Sequence, residues 1–277
     1  MTSTIISNNN LEQFTQQLQP GINEGLNLSD IEYADGMWVG VFNEGSDSTW
    51  SYHPDFEGLR SQIATRWEQG YELTDVEYGN GIWFASFEEG FSEDSAYISN
   101  PDVDGFTAQI QEKADSGGYH GYDLVDVEYG DGVWFGVLNK ERGGATYATS
   151  TMDTLATDID RIQAEDYDLV DVEYTGAGWV SVFHEPPVGA VESTYTIANN
   201  VEQFDRQFAQ KIDQGYNLID IEYGDGIWVG VYDGVIASTT TNNNSTPSTN
   251  DVIVDNVVQN AIIDNAHFAF DPGDYFG

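Results

Sequence analysis

The sequence predicts an α+β repeat protein: five β-β-β-α units in a closed propeller-like ring, followed by a C-terminal tail. Three observations point there. The segment DVEYGDGVWFG (126–136) recurs as DIEYADGMWVG (30–40), DVEYGNGIWFA (75–85), DVEYTGAGWVS (171–181) and DIEYGDGIWVG (220–230). Its tryptophans, Trp38, Trp83, Trp134, Trp179 and Trp228, lie 45, 51, 45 and 49 residues apart, a spacing typical of propeller blades. Between recurrences the apolar residues change from alternation to helical spacing.

The elements follow from local chemistry. In the second unit, YELTDVEY (71–78) is rich in β-prone residues and runs into Asn80-Gly81, which favours a type I′ turn. IWFASFEE (82–89) returns as the second strand, and SAYISN (95–100) is a short third one. Then PDVDGFTAQIQEKADSGG opens with Pro-Asp and sets Phe106 and Ile110 four apart, as an amphipathic helix does. Counterparts are Phe56, Leu59, Ile63 and Trp67; Leu155, Ile159 and Ile162; and Phe204, Phe208 and Ile212.

TSTIISNNNLEQF (2–14) matches STYTIANNVEQF (193–204), so the chain enters at a third strand, and 234–242 reads as another. Five hairpins, five helices and six candidate third strands result. In a closed ring the first strand would complete the last unit and remove the open sheet edges. An open solenoid is the competing arrangement, disfavoured because neither end shows a polar cap. Residues 1–239 are thus assigned to the ring and 240–250 (TTNNNSTPSTN) to a polar linker. Residues 251–277 form an apolar tail whose period fits a strand pair or a helix equally.

Charge excludes whole classes of partner. With 8 basic and 48 acidic side chains the net charge is −40. Such a field repels nucleic acid and anionic lipid and attracts cations and basic protein surfaces. It suits surroundings rich in counter-ions. The absence of cysteine removes disulfides and thiolate metal sites. No run reaches the ~20 apolar residues of a membrane helix, and MTSTIISNNN lacks the features of a cleaved signal peptide. Extracellular location by a type I-like export route is the favoured expectation, with the cytoplasm as the alternative.

The repeated residues admit two uses each. With Asp131-Gly132 as the turn, Tyr129 faces Trp134 and Val127 faces Gly136, giving a cross-strand aromatic pair. The five tryptophans then serve either as packing between units, the favoured reading, or as exposed platforms that stack on glycans. Leu124, Asp126 and Glu128 are expected on the opposite face, since residues two apart on a strand point the same way. Equivalents are Asp30 and Glu32, Asp75 and Glu77, Asp171 and Glu173, and Asp220 and Glu222. In a ring these ten carboxylates would converge. Oxygen-only ligands suit Ca²⁺ rather than zinc. The favoured alternative has each Asp accepting backbone N–H bonds from the next unit.

A catalytic set is not visible, and no catalytic residue is assigned. Catalysis normally uses residues that break a repeat, whereas these acids occur in every unit. His53, His120, His184 and His267 occupy unrelated positions, and no nucleophile elbow or phosphate loop is present. The places that do break the pattern are Thr175-Gly176-Ala177-Gly178 and His184-Glu185-Pro186-Pro187 in the fourth unit.

RSQIATRWEQGYELTDVEYGNGIWFASF (60–87), with its Trp67-Glu68-Gln69-Gly70-Tyr71 stretch, resembles an uncharacterised repeat domain. That domain follows the kinase domain in plant casein-kinase-like proteins and occurs in some bacterial proteins. The other units keep Gly-Tyr (121–122, 215–216) or Tyr alone (167) without the first Trp. The resemblance covers residues 1 to about 240, implies a non-catalytic interaction domain and carries over no functional residues. The expected function is therefore a non-enzymatic binding or self-assembly module. In it residues 251–277 would join copies of the chain into filaments or layers by adding onto a neighbour. A calcium-dependent or glycan-binding lectin is the alternative, and a hydrolase the least favoured.

Overall fold

A computed structural model describes residues 3–45, 47–90, 95–115, 121–140, 145–186 and 191–234, which hold five three-stranded antiparallel sheets, each with one helix. The first unit is β1 (Thr4–Asn8), α1 (Leu11–Asn23), β2 (Leu26–Ala34) and β3 (Met37–Glu44). The second is β4 (Ser48–His53), α2 (Phe56–Glu68), β5 (Tyr71–Gly79) and β6 (Ile82–Glu89). The third is β7 (Ser95–Asn100), α3 (Val103–Asp115), β8 (Tyr122–Gly130) and β9 (Val133–Lys140). The fourth is β10 (Ala145–Ser150), α4 (Leu155–Gln163), β11 (Asp168–Tyr174) and β12 (Trp179–His184). The fifth is β13 (Val191–Ala198), α5 (Val201–Asp213), β14 (Tyr216–Gly224) and β15 (Ile227–Gly234).

This order corrects the phase of the repeat. SAYISN (95–100) was expected to complete the preceding hairpin, but β7 pairs with β9 of the following one, and β1 likewise pairs with β3. The unit is therefore β-α-β-β. The first strand completes the first sheet, not the last, so among the described residues no strand is exchanged between units one and five. The sixth candidate strand, the linker and the tail lie outside the described residues.

The hairpins form as their turns dictate. Asp131 and Gly132 have φ of 49° and 75°, as do Asn80 and Gly81 at 50° and 75°, the pair of positive values that a type I′ turn requires. Tyr129 then faces Trp134 and Val127 faces Gly136. The Tyr–Trp ring centroids are 4.8–5.0 Å apart in all five units. Four helices start at a side-chain cap, with Asn10, Asp55, Asp102 and Asn200 each accepting a backbone N–H three residues on.

One expectation about facing fails. A β-bulge lies between Leu124 and Asp126, and the same irregularity recurs in every unit. The extra residue reverses the alternation. Leu124 therefore packs with Val127, Trp134 and Phe106 in the core of its own unit, while Asp126 and Glu128 project from the other face. Each helix-bearing face is covered by the returning strand of the next unit. Phe84 covers the first unit, Phe135 and Val137 the second, Val180 and Val182 the third, and Val229 and Val231 the fourth. Val39 and Val41 of the first unit cover the fifth.

Close packing between units sets the residue after each Tyr. A Cβ added at Gly130 would lie 2.2 Å from Tyr78 Cβ, and one at Gly79 would lie 2.1 Å from Tyr33 Cβ. Units one and four carry Ala34 and Thr175 there. Gly130→Ala is expected to destabilise the fold by about 2 kcal/mol through overpacking. Chemical denaturation should show a lower midpoint, and an unchanged midpoint would contradict the tight joint.

Candidate functional site: the shared carboxyl cluster

The repeated Asp and Glu side chains meet. Asp30, Glu32, Asp75, Glu77, Asp126, Glu128, Asp171, Glu173, Asp220 and Glu222 all line one cavity of about 10 Å³. All ten are buried, and no Lys, Arg or His lines the cavity with them. The bulge is what places them here, because it frees the strand to bury Leu124 on one side and two acids on the other.

Many of these carboxyls are spent on the neighbouring unit. Val76 N–H donates to Asp126 (3.1 Å), Val172 N–H to Asp220 and Ile221 N–H to Asp30 (both 3.2 Å). The N–H groups of Tyr33, Tyr129, Tyr174 and Tyr223 donate to Glu77, Glu173, Glu222 and Glu32, each at 3.2 Å. Each acceptor belongs to the next unit along, and the bonds of Ile221 and Tyr223 run from unit five to unit one. Glutamates also bond to one another: Glu32 to Glu222, and Glu77 to both Glu32 and Glu128. A carboxyl-to-carboxyl bond requires that one member carry a proton.

Burial pushes all ten carboxyls above their ordinary range, and in most of them repulsion from the other acids adds to it. Glu77 is raised to about 7 and Asp126 to about 8, with backbone N–H bonds opposing burial in both. At neutral pH the cluster therefore holds protons. Asp75 Oδ2 and Asp171 Oδ2 accept no hydrogen bond. Among the described residues no group of three or more acidic or histidine side chains is arranged to hold a metal ion.

The remaining sequence-predicted residues lie elsewhere. Trp38, Trp83, Trp134, Trp179 and Trp228 are buried against the helix of their own unit, none more than 6% exposed. At that burial the rings are occupied by protein. His184 is a joint residue: its Nε2–H donates to Leu124 O of the third unit at 2.6 Å. Its counterpart Asn43, five residues after Trp38, donates to Leu218 O of the fifth unit at 2.7 Å. Sequence reasoning missed this role, although the position five after each Trp was available to mark it. No helix among the described residues is long and apolar enough to cross a membrane.

No family model matches the chain, and no curated protein matches it.

Proposed function

We propose that the five units close into a propeller-like ring, and that this ring is a non-enzymatic module for binding and self-assembly. One observation carries the reading. The acids that recur in every unit are turned inward around a space of about 10 Å³, about the volume that a single water needs. A substrate does not fit there. The groups a catalytic account would use are instead bonded to neighbouring units. Closure is supported by the bonds and apolar contacts joining unit five to unit one, which repeat those at the other joints.

Function then falls to what the repeat does not use. Residues 251–277 are apolar and follow a polar linker on a strongly acidic ring. In this reading they attach to another copy, while the net charge of −40 keeps free rings apart and soluble. The same composition favours work outside a cell, among counter-ions. Deleting residues 240–277 should abolish assemblies seen by size exclusion and negative-stain microscopy, leaving single rings. If the shortened chain assembles as well as the full one, the tail has no such role.

A further inference from the structure

The joint between units three and four holds a cavity of about 280 Å³, and at the first two joints aromatic side chains stand in the corresponding place. At the first joint Phe84 sits among Phe14, Trp38 and Tyr52, with ring centroids 5.6–6.0 Å away. At the second joint Phe135 occupies the same place, stacked on Tyr97 at 5.1 Å and 18°. The fourth unit offers Val180 instead, as the fifth and first units offer Val229 and Val39. The residue before its tryptophan is Gly178, where the other units have Met37, Ile82, Val133 and Ile227. Only this joint combines a valine after the tryptophan with a glycine before it. Ile227 shows what is lost: it packs into the core of unit four from the next joint.

The counterpart of Tyr97 makes the gap specific. Tyr147 faces Val182 as Tyr97 faces Val137. With no phenylalanine to stack upon, Tyr147 is left 38% exposed at the cavity wall. The wall is otherwise apolar, with Phe106, Ile110, Trp134 and Val180 among its residues. Among the described residues its only charged lining residue is Asp104, and none of them is Lys or Arg.

We propose that this cavity is a binding site for a small aromatic molecule, uncharged or cationic, whose ring takes the place of Phe135 beneath Tyr147. The volume exceeds the ~150 Å³ of an apolar cavity known to take up benzene, so a fused bicycle fits. Anionic ligands are disfavoured because Asp104 and the overall charge of −40 oppose them, with no cation among the described residues of the wall. A cation gains from the aromatic faces and from Asp104. The site lies at the fourth unit's break in the repeat, where Thr175, Ala177 and Gly178 form part of the lining.

The repeat supplies its own occluding variants. Val180→Phe restores the residue used at the first two joints, and Thr149→Tyr restores the Tyr52 that stacks on Phe84. Titration calorimetry on the full chain with indole should give one site with Kd tighter than about 1 mM. Tryptamine should bind at least as tightly, and indole-3-acetate at least tenfold more weakly. Val180→Phe and Thr149→Tyr should each weaken indole at least tenfold, with melting temperatures no lower than that of the parent. The proposal is overturned by the absence of indole binding up to its solubility, or by binding that survives in whichever occluding variant folds. Equal binding of indole-3-acetate would overturn the assigned ligand class.

Discussion

Raising the pH from 5 to 9 is expected to lower the melting temperature by about 10 °C or more. Most proteins lose stability in acid because paired carboxylates become protonated. Here the carboxyls of the shared cluster have folded pKa values above their unfolded ones, which reverses the sign. Below about pH 4 both states hold the proton and the cluster costs nothing. As the pH rises, the unfolded chain releases its protons first, so unfolding becomes progressively more favourable. The loss continues through about 7 for Glu77 and about 8 for Asp126. For Glu77 alone, a shift from 4.5 to about 7 corresponds to roughly 3 kcal/mol. That is about 6–12 °C in a domain of this size.

Surface repulsion among the remaining acids would act in the same direction, but salt distinguishes the two. At 1 M salt the screening length is about 3 Å, which suppresses exposed charges and leaves the buried cluster largely unaffected. The pH effect should therefore persist in 1 M NaCl. Glu77→Gln and Asp126→Asn keep the side-chain shape and cannot ionise, so each should flatten the profile and raise stability at pH 9. A melting temperature that stays level or climbs between pH 5 and 9 would mean that the cluster is not proton-loaded.

Much of this architecture is legible in the residues because it is local. An Asp-Gly or Asn-Gly pair between alternating runs determines a type I′ turn, and that turn alone places Tyr129 opposite Trp134. Helix caps such as Asp55 and Asp102 are legible for the same reason. What escaped is non-local. The strand 95–100 is equally suited to the hairpin before it or after it, and only the passage of α3 over the sheet selects β9. The bulge after Leu124 adds a residue without any compositional mark, yet it decides which side chains face the neighbour. The convergence of the ten acids was legible as a consequence of the expected ring, whereas their mutual glutamate bonds were not. The break at 175–178 was visible in sequence. That Val180 leaves a space there depends on knowing which face meets unit three.

Asn43→Leu is expected to cost about 4 kcal/mol, because it would disrupt the joint that closes the proposed ring. Asn43 Nδ2–H donates to Leu218 O at 2.7 Å, and Asn43 Oδ1 accepts from Ser3 Oγ–H at 2.5 Å. Leu218 N–H in turn donates to Ser3 Oγ at 2.8 Å. All three bonds are buried, so removing the amide strands the Leu218 carbonyl and the Ser3 hydroxyl away from water. Each stranded group costs about 1–3 kcal/mol, and leucine leaves little room for a rescuing water. The first two joints use the same device: Ser48 Oγ accepts from Leu28 N–H, and Ser95 Oγ from Leu73 N–H. Ser3 thus does for units five and one what Ser48 does for units one and two. In an open solenoid Asn43 would face solvent at a free end, and its replacement would shift stability by less than about 0.5 kcal/mol. Denaturant unfolding of Asn43→Leu therefore separates a circle from an open row, with a near-zero effect ruling out the circle.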